Sequence, residues 1–233
     1  MRRSLPQRIR RRLYSFSFTK RKLSKKNLTR LCREYATEEP TLVIHPEFVD
    51  YKLFFPNCFT VSKRNYKPAD MHVDVYYRDL SKIEAESYNV ILCLGLLEHI
   101  PDPERLIADM RRILKPGGRL IISASACFSF HECPDNFFQF TPFGFKLLFK
   151  DWSQIEMMRG SSQPFETIGI LLQRINMQCE IFPLVRPFIE VLYHVIPVLD
   201  YFVVRQYNTM AFQDERSVTD SMLPSNMQAV VVK

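Results

Sequence analysis

Three of the five histidines in this 233-residue chain, His45, His99 and His131, lie just beyond short apolar runs that read as β-strands. An imidazole titrates near neutrality, so a histidine held at a strand end can take a proton from a hydroxyl or an ammonium. His99 follows directly on Glu98, and His131 stands four residues before Asp135. His99 and His131 are therefore the candidate catalytic bases. The competing readings are structural: His99 bound to backbone where a helix starts, His131 ordering its loop through Asp135, Glu98 bracing the sheet edge. Other chemistries find little support. Cys127 and Cys133 are not at a zinc spacing and no second pair follows, so no metal site is expected. No Ser or Cys sits in a Gly-x-Ser-x-Gly context, and the first glycine is Gly95, so neither a nucleophile elbow nor a P-loop can be assembled.

The elements that must hold these residues follow from the apolar pattern. Thr41–Ile44, Cys58–Ser62, His72–Tyr77, Val90–Leu94 and Leu120–Ser123 read as strands, mostly continuous and apolar as strands covered on both faces are. Between the last two, Asp102 is placed as an N-cap and Pro103 suits the first helical position. Leu106, Ile107, Met110, Ile113 and Leu114 then repeat at helical spacing, until Lys115-Pro-Gly-Gly118 stops the helix and turns the chain. Strand, capped helix, turn, strand is a βαβ unit with a right-handed crossover. An edge strand around residues 154–158 and a closing strand at 227–233 complete the sheet. Between them, residues 166–207 are apolar but broken by Pro183, Pro187 and Pro197 into short helices. There Phe188, Val191, Leu192, Val195 and Ile196 share one helical face, expected to cover a sheet face or an oligomer interface; the alternative is a membrane-interface surface. In an open parallel sheet, ligands bind at the carboxyl ends of the strands. Those ends are residues 45–47, 62–64, 79–80, 95–99 and 126–131.

At these positions the chain resembles a known family. Tyr88-Asn-Val-Ile-Leu-Cys-Leu-Gly-Leu-Leu-Glu-His-Ile-Pro-Asp-Pro103, followed by Met110-Arg-Arg-Ile-Leu-Lys-Pro-Gly-Gly-Arg-Leu-Ile-Ile-Ser123, resembles the fourth-to-fifth-strand segment of class I S-adenosylmethionine-dependent methyltransferases. The resemblance covers roughly residues 41–159 and the closing strand. It implies an α/β fold: a doubly wound, mostly parallel sheet with an antiparallel last strand, here with an added helical segment at about 166–207. It also implies S-adenosylmethionine as cofactor, held by His45, Glu47, Ser62, Asp79, Leu80, Leu94 and Gly95. The stretch His131-Glu-Cys-Pro-Asp-Asn-Phe-Phe-Gln-Phe-Thr-Pro142 and the Phe-Phe-Pro-Asn57 ending are similar to a subset associated with cell-surface polysaccharide and lipid-linked sugars. That subset implies a small-molecule or glycan acceptor.

The match has gaps. The family carries an acid in its first strand and a glycine-rich turn after it, where this chain has Val43 and then His45, Pro46, Glu47 and Val49. Glycine there admits positive φ and close backbone approach, which His-Pro-Glu is not expected to supply cheaply. Ser62 and Lys63 replace the second-strand acid that holds the ribose, and Gln139 replaces a later arginine; Asp79 matches the acid near the adenine amino group. Two readings follow. Either Glu47 pairs with the methionine ammonium and Ser62 gives one ribose hydrogen bond in a working transferase, or the fold persists as a scaffold or binding module.

Composition sets the remaining expectations. Hydrophobic residues make up 46% and charged residues 24%, which excludes a disordered chain. Residues 1–35 hold thirteen Lys and Arg against one acid, a balance of +12, whereas the other 198 residues hold nineteen against twenty-four, a balance of −5. The expected organisation is a basic arm over 1–35 and a single domain over 36–233. The arm reads as a solvated tail, an anionic-membrane contact or a transit peptide; no stacking-aromatic pattern supports nucleic acid. Six scattered cysteines read as reduced thiols, and with no spanning run or signal sequence the expected location is cytoplasmic or peripheral to a membrane. The apolar 166–207 region would also suit a homodimer.

Overall fold

Alternation along the strands assigns the two sides of one sheet. Leu42 and Ile44, Ile91 and Cys93, and Leu120, Ile122 and Ala124 face one core, while Val43, Val90, Leu92, Leu94 and Ile121 face another. A strand with apolar residues on both faces has to be covered on both faces. The computed structural model describes residues 23–46, 50–63, 69–206 and 221–233, and shows seven strands in the order β3-β2-β1-β4-β5-β7-β6. They are β1 (Thr41–Ile44), β2 (Cys58–Lys63), β3 (Met71–Val73), β4 (Tyr88–Leu94), β5 (Leu114–Ser125), β6 (Gln154–Gly160) and β7 (Asn226–Val232). The first five pair in parallel, and β7 inserts antiparallel between β5 and β6. The α/β sheet, mostly parallel with antiparallel last strands, is the expected one.

Helix α1 (Leu23–Glu34) corrects the boundary drawn at residue 35. Asn27, Leu28, Leu31 and Cys32 are buried, and the three apolar ones pack on the sheet face formed by Val43, Val90 and Leu92. Residues 23–34 thus belong to the domain, their basic side chains on the outer face; residues 1–22 lie outside the described residues. On the other face lies α2 (Pro103–Ile113), with Leu106, Ile107, Met110 and Ile113 buried and the Asp102 carboxylate accepting the Arg105 N–H at 3.1 Å. Short α3 (Pro142–Leu147) adds Phe145 to the same core, its N-terminus capped by Thr141.

Two local expectations change. The third strand stops at Val73, because Asp74 captures the backbone beyond it: its carboxylate accepts N–H bonds from Tyr76, Arg78 and Asp79, an Asx-type turn. Tyr77 then takes a left-handed φ of 57°. And the Lys115-Pro-Gly-Gly118 turn lies inside β5 as a bulge: Leu114 stands opposite Tyr88 and Arg119 opposite Val90, with Gly117 at φ 74° between them. Glycine is required at 118, where a Cβ would stand 2.9 Å from the Asn89 carbonyl oxygen on β4.

The segment between β6 and β7 forms α4 (Pro164–Gln178), α5 (Arg186–Val195) and a 3-10 turn (Ile196–Phe202). Of the surfaces expected for Phe188, Val191, Leu192, Val195 and Ile196, a sheet face is not the one the first four cover. All four are exposed, and the buried residues of α5 are Arg186, Glu190 and Tyr193.

Candidate active site at the carboxyl ends of the strands

The end of β4 is built by its own backbone. Gly95 leaves the strand with φ 61°, and its N–H donates to the Ser123 carbonyl at 3.0 Å on neighbouring β5. A 3-10 turn over Leu97–His99 follows, and all three of its residues are buried. The Glu98 carbonyl accepts the Phe137 N–H at 2.8 Å, which ties this turn to the loop after β5. That loop brings His131 to His99.

The two imidazoles meet edge to face, with Nε2 to Nε2 at 3.2 Å and ring centroids 4.7 Å apart. His99 Nδ1 donates to the Asp135 carbonyl, and His131 Nδ1 donates to the Ser129 carbonyl at 3.0 Å. A carbonyl oxygen only accepts, so each Nδ1 carries a proton and each neutral ring presents its Nε2 lone pair to the other. The gap between the two facing lone pairs can accept one proton, which the two rings would then share. Glu98 supplies the countercharge. It is 1% exposed, its Oε1 accepts the Ser125 hydroxyl at 2.5 Å, and its Oε2 has no hydrogen-bond partner among the described residues. Ligand-capable atoms of Glu98, His99 and His131 lie within 4.8 Å of one another, so this trio replaces the cysteine-centred group weighed from the sequence. Burial pulls the His131 pKa below its ordinary value, helped by His99 and Arg174 and opposed by its Ser129 bond and by Glu98.

Both histidines expected at the site are thus brought together. The pairing of His131 with the Asp135 carboxylate is not found, since that carboxylate faces the Tyr76 hydroxyl at 3.3 Å.

The other half of the crevice, at β1, β2 and β3, is built differently. His45 leaves β1 with φ 63°, so the left-handed turn that a glycine ordinarily makes is made here by a histidine. Histidine tolerates that region better than most residues do. The positive φ expected from this segment only at a cost is thus taken by a non-glycine residue. The His45 ring is buried and its Nδ1 lies 3.0 Å from the Tyr77 hydroxyl. Ser62, next to last in β2, is fully buried, its Oγ without a partner among the described residues. Lys63 reaches from β2 to Glu132 on the loop after β5, at 3.2 Å. Burial works against the Glu132 carboxylate, but Lys63, with smaller help from His99 and His45, holds its pKa below the usual value.

Asp79 pairs with Lys82 at 2.8 Å, and the Leu80 carbonyl accepts Arg112 of α2 at 3.0 Å, which pins this turn to the helix. Leu94 is buried in the core on the α1 side of the sheet. Glu47 lies outside the described residues.

Sequence reasoning missed four contributors: Tyr77, Glu132, Ser125 and Arg174. Arg174, from α4, donates to Ser129 Oγ at 2.8 Å and lies over the Phe128 ring at 5.0 Å, so α4 fixes the loop that carries His131. A single charge within the apolar Ile170–Ile175 run was the available signal. For Tyr77 and Glu132 no local signal existed, because their partners are 32 and 69 residues away.

Strand order and the Gly95 corner define a doubly wound nucleotide-fold sheet whose crevice lies at the carboxyl ends of the strands. A family of methyltransferase domains matches residues 21–168, well over half of the chain, and the chain belongs to that family. Curated relatives include a ubiquinone biosynthesis O-methyltransferase of Coxiella burnetii, 32% identical over 65 residues that cover 27% of this chain and 28% of that one. The corresponding enzyme of Hahella chejuensis is 45% identical over 56 residues, 22% and 24% of the two chains. The match thus spans about a quarter of these relatives. They are named for ubiquinone biosynthesis, not for the polysaccharide-associated subset that the sequence resembles.

Among solved structures, a SAM-dependent methyltransferase from Archaeoglobus fulgidus superposes with a TM-score of 0.54 at 12% identity, covering 97% of this chain and 98% of that one. Coclaurine N-methyltransferase, bound to N-methylheliamine and SAH, gives 0.51 at 12% identity over 98% and 79%. The [4+2]-cyclase SpnF gives 0.51 at 11% over 88% and 79%. At such identities the likeness is one of fold.

Proposed function

We propose that this chain transfers a methyl group from S-adenosylmethionine to a hydroxyl of a small-molecule acceptor, with the His99–His131 pair as proton acceptor. The observation that carries this reading is the pair of inward-facing Nε2 lone pairs at the carboxyl ends of β4 and β5, backed by the buried Glu98. A hydroxyl must lose its proton as its oxygen forms the new O–C bond; an acceptor without a proton to lose would have no use for such a pair. The cofactor supplies an already activated methyl on a sulfonium sulfur. The protein's part is to align the acceptor, exclude water and receive the proton.

The residues that would hold the cofactor are Ser62, whose buried Oγ has a vacant hydrogen-bonding capacity suited to a ribose hydroxyl, Asp79 and Leu80, which would serve the adenine, and Leu94 with Gly95 at the end of β4. His45 and Glu47 take the place of the family's glycine-rich turn. The relatives' names support O-methylation as the reaction class. The narrower acceptors, a quinone precursor or a glycan hydroxyl, share only that hydroxyl, and the proposal is confined to it.

One arrangement favours a second reading, a binding module without cofactor. His45–Tyr77 and Lys63–Glu132 both bridge strand ends across the donor half of the crevice. Calorimetric titration with S-adenosylmethionine separates the two. Saturable binding at micromolar Kd, about −8 kcal/mol, weakened roughly tenfold in Asp79→Ala, supports the transferase. No heat at millimolar cofactor would establish the module.

A further inference from the structure

An amphipathic helix in a water-soluble fold turns its apolar stripe inward. Helix α5 does the reverse. Its charged residues Arg186 and Glu190 are 4% and 5% exposed, whereas Phe188 is 80% and Val191 62% exposed. Arg186 donates to the Cys179 carbonyl at 3.2 Å, and Glu190 accepts from Asn176 of α4 at 3.4 Å. The inversion continues into the 3-10 turn. Asp200 is spent on the start of α4, accepting the Phe165 and Glu166 N–H groups at 2.9 and 2.7 Å, while Tyr201, Phe202 and Val204 stand out in solvent. From Ile181 to Val204 every acid and every Lys or Arg is thus engaged with the protein, and the outer surface is hydrocarbon and aromatic ring. An apolar surface of this extent marks a contact site.

The attachment point of the N-terminal segment says what kind. Helix α1 begins beside α4, the helix on which α5 rests: the Leu23 N–H donates to Gln173 at 2.8 Å, and Asn27 donates to Glu166 at 3.2 Å. Residues 1–22, joined there, carry nine Lys and Arg and no acid. The cationic sequence is therefore attached beside the helix that carries the apolar face. A second copy would add nine further Lys and Arg and no acid from that sequence. An anionic bilayer satisfies both features, accepting the rings at its acyl boundary and the cations among its headgroups.

We propose that the α5 face and the following turn are a lipid-docking surface for an anionic membrane, with residues 1–22 as its electrostatic anchor. The described helices are not long and apolar enough to cross a membrane, so the contact is interfacial. This inference is independent of methyl transfer.

Flotation of the full chain tests it, using vesicles of phosphatidylcholine alone and of phosphatidylcholine with phosphatidylglycerol. The expected result is binding to the mixed vesicles that weakens as salt rises, and a loss of about tenfold or more in the double variant Phe188→Ser/Val191→Ser with an unchanged circular dichroism spectrum. If that variant loses its fold, Tyr201→Ser/Phe202→Ser on the same face carries the test. Absence of flotation, or equal flotation of a folded variant, overturns the proposal. So does a wild-type dimer, seen by light scattering, that these substitutions convert to monomer, because a second copy would then be the occupant.

Discussion

The ends of β1 and β4 lie side by side in the sheet and leave their strands with nearly the same backbone conformation, φ 63° at His45 and 61° at Gly95. One turn is a glycine and the other a histidine. A left-handed residue at the end of the first strand is therefore made here without glycine. What differs is the side chain: a buried imidazole, bonded to Tyr77, at His45, and none at Gly95. Under the proposed function, the β4–β5 side is the acceptor half, with the paired imidazoles, and the β1–β2 side is the donor half, with His45 and Ser62.

Substitutions on the two sides of that divide should differ in kind. The largest effect is expected in the acceptor half: His131→Ala should lower kcat by about 10²–10⁴-fold, the range for a general base, with cofactor affinity unchanged in calorimetry. A parallel loss of affinity would break the division into halves. Because burial depresses the His131 pKa, the pair stays ready to accept a proton below the ordinary histidine range. The acid limb of the kcat/KM profile should accordingly fall below pH ~6.5, and the variant should lack it. Next in size, Gly95→Ala forces a Cβ into the left-handed region and should cost about 1–2 kcal/mol in urea unfolding. Smallest is His45→Gly. Relief of the same strain, about 1 kcal/mol, offsets one lost hydrogen bond of similar worth, so stability should change by less than about 1 kcal/mol. A cost of 3 kcal/mol would mean that the imidazole is a structural pillar, not a stand-in.

A second contrast shows how far sequence reasoning reaches. Helices α2 and α5 both carry a clean apolar stripe, and both were legible as helices from spacing and prolines. For α2 the stripe also gave the packing, because the Asp102 cap and the adjoining strands leave it one surface to cover. For α5 the same inference failed. Its polar stripe holds Arg186 and Glu190 four residues apart, and α4 offers that stripe Asn176 and the Cys179 carbonyl. Periodicity measures the separation of the two faces; it carries no information about which one meets the protein.

The site divides along the same line. His99 and His131 could be picked out because each follows a strand whose end was readable. Their mutual geometry could not, since it depends on Asp135 and Ser129 carbonyls and on Arg174 from a helix beyond the next strand. Tyr77 was hidden within a run that alternates like a strand, and only the Asp74 turn removes it from one.

By itself the sequence determined the order of the strands, the capped helix and crossover between β4 and β5, and the chemical types at each strand end, because these are fixed by interactions within a few residues. Tertiary structure decided that two imidazoles share one gap, that a histidine performs a glycine's turn, and that a hydrophobic helix looks outward. Each of those outcomes rests on partners tens of residues distant, and only the closed sheet brings them within hydrogen-bonding range.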